Sequence, residues 1–293
     1  MAIRIITDAC CDLSYSFVKE HGIHVVPLRF SIDDVEQTYA LEPDFDFGEY
    51  YNKMRNGSVT KTSQIAYDDI EKEFKDAIEA GDEAIYIAFS SALSYTYNVG
   101  KLAQKNLLEE YPDAKLHVVD SLAACSGQGL LVDMAVRLLE KGATAQEILD
   151  WLDKNVLHAI LWFTVDDLDF LRRGGRVSAA AAIIGGMLHL KPYLHVNSEG
   201  KLIKKGVVRG RKKAIQTIVD KTLRDMDKSQ KQTIYISHAD CLDEILPFVK
   251  QMEANEGVSD VVVGNIGPVI GAHSGPGTVA IFVMGDERDK DEE

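Results

Sequence analysis

Ala84-Ile-Tyr-Ile-Ala-Phe89, running without a break into Ser90-Ser-Ala-Leu-Ser-Tyr-Thr96, is the stretch on which the fold turns. Six apolar residues without alternation read as a strand buried on both faces. The hydroxyl-rich segment after it opens into a helix that extends to about Tyr111, giving strand, loop, helix. The same unit recurs on either side. Ile3 to Thr7 is a strand ending at Asp8, ahead of a short helix around Tyr15 to Glu20. His24 to Phe30 is a second apolar strand, and Lys115 to Val119 is another, ending in Asp120-Ser121 before two helices that fill Leu122 to Val156. Repetition of this unit predicts an α/β domain over residues 1–157, with a parallel sheet covered on both faces. Within it, Asp33 to Asp46 reads as polar and irregular, and Phe47 to Arg55 as a helix closed by Asn56-Gly57. The run after Lys61-Thr-Ser-Gln64 reads as a long helix with Ile70, Phe74, Ala77 and Ile78 on one stripe.

The polar residues of this half are grouped. Asp8, Thr62-Ser63, Ser90 to Ser94 and Asp120-Ser121 all fall just after strands or at helix starts. In an open parallel sheet that edge is where ligands bind. Serine and threonine there also cap helices, which accounts for any one of them singly. Several hydroxyls on one edge, with no lysine or arginine beside them, suit a small anion held by helix N-termini.

After Leu157 the pattern changes, and residues 158–285 read as an α+β domain. An apolar strand, His158 to Thr164, precedes Asp166 to Arg176 and then Val177 to Leu190, rich in Ala, Ile, Gly and Leu. Lys191 to Val196 and Lys201 to Val208 read as a β-hairpin. A helix from Arg211 to about Met226, the strand Thr233 to Ser237 and a helix to about Asn255 follow. Two final strands flank Gly264 to Gly277, which holds five glycines and two prolines. That stretch reads as a stiff, bent loop aiming one imidazole, His273. Residues 286–293 form a charge run expected to be a disordered acidic tail.

Composition narrows the function classes. The chain has 293 residues and a net charge of -14, which excludes general nucleic-acid binding because phosphate contacts need a basic face. No apolar run approaches the roughly 18 to 20 residues of a membrane span, and the N-terminus reads as a first strand rather than a signal peptide. Cys10, Cys11, Cys125 and Cys241 form no C-x-x-C pair, so a cytoplasmic protein with reduced thiols is expected. There is no P-loop, G-x-G-x-x-G or H-E-x-x-H, and Gly22 separates His21 from His24. No cofactor and no metal are expected.

Taken in order, the segments resemble the DegV family of bacterial lipid-binding proteins, which includes the FakB-type fatty-acid carriers. The resemblance is carried by Ile6-Thr-Asp8, Lys61-Thr-Ser-Gln64, Ser90-Ser-Ala-Leu-Ser-Tyr-Thr-Tyr97 and Val119-Asp-Ser121 in the first half. In the second it is carried by Asp169-Phe-Leu-Arg-Arg-Gly-Gly-Arg-Val177, Leu190-Lys-Pro192, Gly206 to Ala214 and Gly264 to Gly277. It implies two domains with a long-chain fatty acid between them, and a carboxylate bound by Thr62 and Ser94 near His273, with Ser63 and Ser91 as neighbours. It also implies that the bound acid is presented to a separate fatty-acid kinase, which forms an acyl phosphate. An arginine of the Leu-x-x-Gly-Gly-Arg segment serves that handover; Arg172 and Arg173 are preferred to Arg176, and Arg209 is added as a further partner-facing cation.

Physical chemistry supports such a ligand independently. Burial of one methylene contributes about 0.8 kcal/mol, so a sixteen-carbon acid gains on the order of 12 kcal/mol gross before association costs. The head group then needs orientation more than charge pairing. Ala179 to Leu190 is the expected lining of an acyl tunnel. The basic cluster Lys201, Lys204, Lys205, Arg209, Arg211, Lys212 and Lys213 suits an acidic partner or at most peripheral membrane contact. Two enzymatic alternatives stand beside the carrier: an acyl-ester or thioester hydrolase using Ser94 and His273, which lacks a G-x-S-x-G elbow, and a small-molecule phosphotransfer enzyme in which His273 or another residue carries phosphate.

Overall fold

The computed structural model describes residues 2–178 and 189–289. In the first half the strands β1 (Ile3–Asp8), β2 (His24–Val26), β6 (Glu83–Ala88) and β7 (Leu116–Asp120) form a parallel sheet in the order β2-β1-β6-β7. Ala84 to Ala88 are fully buried, as a continuous apolar strand in a doubly covered sheet requires. The helices α3 (Tyr67–Ala80) and α4 (Thr96–Glu110) pack together on the sheet, as do α5 (Ser126–Glu140) and α6 (Ala145–Asn155). A short helix, α1 (Tyr15–Glu20), links the first two strands.

The expected strand from His24 to Phe30 is divided. Pro27 has no N–H to donate, the ladder stops there, and β3 (Leu28–Ile32) leaves for a second sheet. That sheet was not legible in the sequence. It runs β4-β3-β5, with β4 (Val35–Tyr39) and β5 (Thr60–Thr62) both antiparallel to β3. The segment read as irregular therefore holds a strand. Asp33 and Asp34, both at positive φ (51° and 63°), make the two-residue turn that pairs Ile32 with Val35. α2 (Phe47–Arg55) follows β4.

The second half is built on a six-stranded sheet in the order β10-β9-β8-β13-β11-β12. Its strands are β8 (Ala159–Thr164), β9 (Leu190–Val196), β10 (Leu202–Arg209), β11 (Gln232–His238), β12 (Val258–Asn265) and β13 (Val279–Met284), of which only β11 and β12 pair in parallel. Alternation along β8 sorts its two faces. Ile160 and Trp162 join a core under α8 (Arg211–Asp225) and α9 (Leu242–Glu253), while Leu161 and Phe163 join the main core of the first half. The sheet is thus sandwiched, and one apolar core runs through both halves.

Two expectations are corrected. Gly264 to Gly277 is not an irregular loop: Pro268–Ser274 forms a helix, α10, with proline at its first turn, where a missing N–H costs nothing. Nor is the charge run after Gly285 loose throughout. Arg288 is only 5% exposed and donates to the carbonyls of Leu122, Val156 and Asn197. Three carbonyl partners make that guanidinium's burial tolerable. Residues 290–293, and the expected tunnel lining 179–188, lie outside the described residues. Among those described, no helix is long and apolar enough to cross a membrane.

Candidate functional site

A cavity of about 290 Å3 is lined by residues from both halves of the chain. Its walls are apolar, from Leu28 and Phe89 of the first half to Leu161, Phe163, Ala280 and Phe282 of the six-stranded sheet. The polar residues of its lining include Thr62, Ser63, Gln64, Ser94, Arg176, His273, Ser274 and Thr278.

Each is aimed by local structure. Thr62 ends β5, opposite Phe30. Ser94 lies in the loop between β6 and α4. Its hydroxyl shares a hydrogen bond with Thr96 Oγ1 at 3.0 Å, and Thr96 Oγ1 accepts from the Ile65 N–H at 3.3 Å. The loops bearing Thr62 and Ser94 are thereby tied to each other. His273 is on the last turn of α10, and α10 is fixed by the first half: Tyr51 Oη donates to Ile266 O at 2.7 Å, Tyr50 Oη to Pro268 O at 2.8 Å, and the Gly267 N–H to Asp12 Oδ1 at 3.0 Å.

The central contact joins the two halves. Thr62 Oγ1 lies 2.7 Å from His273 Nε2. His273 Nδ1 is buried and has no hydrogen-bond partner, and it sits directly over Gly174, where a Cβ would approach it to 2.2 Å. Burial, and then the charge of Arg176, lower the His273 pKa to about 4, so the imidazole is neutral at pH 7. An orphaned acceptor is cheaper than an orphaned N–H. This favours the tautomer with hydrogen on Nε2, donating to Thr62. The Thr62 hydroxyl hydrogen is then free to point into the cavity.

Arg176 reaches the cavity because α7 (Asp169–Arg173) ends in a Schellman turn: Gly175 has φ 71°, and the Arg176 N–H returns to Leu171 O at 2.9 Å. Its guanidinium is half-buried, donates to Leu93 O at 3.0 Å and to Gly174 O, and its pKa is lowered by burial. The hydroxyl cluster therefore does have a cation beside it, supplied by the other half of the chain.

Four of the five residues expected at the ligand, Thr62, Ser63, Ser94 and His273, line the cavity. Ser91 does not; its N–H donates to Asp120 Oδ1 at 3.2 Å. Arg172 and Arg173 are exposed, the first paired with Asp169 at 2.9 Å and the second stacked over Phe170 at 4.7 Å. Arg209 is exposed on the edge strand β10. Sequence reasoning passed over Arg176, although the Arg-Arg-Gly-Gly spelling of a helix end turns the next residue back inward. It also missed Ser274, a buried lining residue whose hydroxyl has no partner. Among the described residues no cluster of His, Cys, Asp or Glu could hold a metal ion.

The model of the DegV family, described as "Uncharacterised protein, DegV family", matches residues 2–286. The chain belongs to the DegV family. A DegV domain-containing protein of Clostridium perfringens is 38% identical over 285 residues, covering 97% of this chain and 98% of that one. A DegV relative from Thermotoga maritima named as a fatty acid-binding protein is 32% identical over 294 residues, covering 98% and 99%. The solved structure described as fatty acid binding of a DegV family protein from Thermus thermophilus superimposes with a TM-score of 0.88 at 30% identity, covering 98% of this chain and 100% of that one. The two-domain α/β architecture expected from the sequence is that of these DegV proteins.

Proposed function

We propose that this DegV protein is a carrier that holds a long-chain fatty acid in the cavity between its two halves, with the carboxylate at Thr62, Ser94 and His273, and presents it to a partner fatty-acid kinase. The observation that carries this reading is a largely apolar cavity lined by both halves of the chain, with the hydrogen-bonded pair Thr62 and His273 in its wall. Relatives named as fatty-acid-binding proteins support the ligand class.

The chemistry follows from the tautomer. His273 donates to Thr62, Thr62 donates to one carboxylate oxygen, and Ser94, which lines the same cavity, offers the second hydroxyl. Two neutral hydroxyls orient the anion without neutralising it. The half-buried Arg176 lowers the cost of bringing the negative charge out of water. One carboxylate oxygen keeps its lone pairs for attack on the terminal phosphorus of a nucleoside triphosphate held by the kinase, forming the acyl phosphate as the bond to the diphosphate breaks. Arg172, Arg173 and Arg209 are exposed and available to that partner. No observation favours the hydrolase: Ser94 hydrogen-bonds to Thr96, and the His273 Nε2 atom is taken by Thr62.

The test is native mass spectrometry of the purified protein, then extraction and identification of what it carries. A stoichiometric fatty acid is expected; an empty protein that refuses added acids overturns the ligand class. With a cognate kinase, Thr62→Ala combined with Ser94→Ala must lower phosphorylation of bound acid. Unchanged phosphorylation overturns the presenting role.

A further inference from the structure

The helix α5 carries glycine at Gly127 and Gly129 in its first turn, where alanine is the better helix former. Gly129 is explained by backbone: a Cβ there would stand 2.5 Å from the Cys11 carbonyl oxygen. Gly127 meets side chains instead. Its Cβ would stand 2.8 Å from Phe282 Cδ1 and 2.9 Å from Leu161 Cδ2. Leu161 and Phe282 are register partners on adjacent strands, and both line the cavity. Their exposures are 3% and 2%, so they are packed tightly on their other sides. A methyl group added at Gly127 pushes them toward the one void they border.

We propose that Gly127, which does not itself line the cavity, is a specificity-determining residue. By leaving room behind Leu161 and Phe282 it sets how long an acyl chain the cavity accepts. The inference rests on the fatty-acid reading above, and deepens it. Leu161 and Phe282 are apolar side chains of the six-stranded sheet and take no part in the hydrogen bonds of Thr62, Ser94 and His273, so their displacement takes apolar space from the tail and leaves those head contacts in place. Each methylene denied burial weakens binding about fourfold, the equivalent of ~0.8 kcal/mol.

The experiment measures dissociation constants of the delipidated full chain for saturated acids of twelve, fourteen, sixteen and eighteen carbons. Wild type is compared with Gly127→Ala and with the double variant Gly127→Ala/Phe282→Leu. The expected result is a length-dependent loss in Gly127→Ala, at least fourfold for the longest acid that wild type binds well and under twofold for the shortest, recovered in the double variant. An equal loss at every length, or an unchanged profile, overturns the proposal. If Gly127→Ala does not fold, recovery of a folded, binding-competent double variant supports the steric coupling, and failure to recover overturns it. A wild-type protein that binds none of the acids sinks the ligand class itself, a result read before any variant is compared.

Discussion

The neutral imidazole of His273 makes a prediction that does not depend on knowing the ligand. Its pKa in the folded protein is about 4, against 6.5 for an ordinary histidine, because burial and then Arg176 disfavour the cation. Between those two values the unfolded chain binds a proton that the native chain does not. Stability therefore rises with pH across this window and is lost on acidification from about 6.5 to about 4, below which both states are protonated. The loss amounts to about 3 kcal/mol, since each pH unit of separation corresponds to 1.36 kcal/mol. Carboxylates titrate in the same range, so wild type alone is not diagnostic. His273→Gln keeps a donor toward Thr62 but has nothing to titrate. Urea unfolding of both proteins, stripped of ligand, from pH 7.5 to pH 4 gives the difference in stability at each pH. That difference is expected to move against wild type by about 3 kcal/mol as the pH falls. A difference that stays flat, or an imidazole NMR titration near the ordinary histidine value, refutes the neutral-donor account of the head-group site.

Gly174→Ala places a Cβ where the ring nitrogen Nδ1 of His273 stands, 2.2 Å away, and turns the ring off Thr62; losing that aligned hydrogen bond lowers fatty-acid affinity by about tenfold, checked by calorimetry. Asp12 behaves oppositely to His273. Burial raises its pKa to about 7, and Oδ2 has no partner; the native chain holds a proton between the ordinary aspartate value and about 7 where the unfolded chain does not, so this residue's contribution falls as the pH rises through that window. Asp12→Asn is expected to be the more stable protein at pH 8, by at most about 4 kcal/mol, with the advantage gone near pH 4, measured by thermal melts. Arg288→Leu takes a buried guanidinium away from the carbonyls of Leu122, Val156 and Asn197, of which Asn197 keeps the Gly200 N–H, and should destabilise the protein by about 1–3 kcal/mol. Removing the exposed Arg172–Asp169 pair should cost under about 1 kcal/mol.

The parallel sheet was legible because both of its faces are covered, so Ala84 to Phe89 could be spelled with apolar residues alone. The β4-β3-β5 sheet was not, because Val35 to Thr38 are exposed and carry no apolar alternation, and an Asp-Asp turn is a weaker signal than Asn-Gly. Thr62, Ser94 and His273 could be named because the resemblance marks them; their convergence could not, since 211 residues separate Thr62 from His273. Arg288 stayed hidden inside a run of charges whose composition argues for solvent, because only tertiary structure brings Leu122, Val156 and Asn197 together around one side chain.

The head and the tail of the cavity divide the work unequally. Arg176 spends two of its five N–H donors on the carbonyls of Leu93 and Gly174, so only part of its hydrogen-bonding capacity remains for a carboxylate. In the proposed carrier His273 is neutral and reaches the ligand only through Thr62. A head site built this way contributes little affinity, roughly what one or two hydrogen bonds to a charged group supply, about 1.5–3 kcal/mol each. The apolar walls supply on the order of 12 kcal/mol gross for a sixteen-carbon chain. A carrier must hold the acid tightly and yet leave its carboxylate reactive, and a fully paired ion would be a poor nucleophile. The proposed carrier meets both demands by placing affinity in Leu161, Phe163 and Phe282 and orientation in Thr62 and Ser94. It follows that changes behind the tail, such as at Gly127, should alter which acid is bound, whereas changes at Thr62 should alter how it is presented.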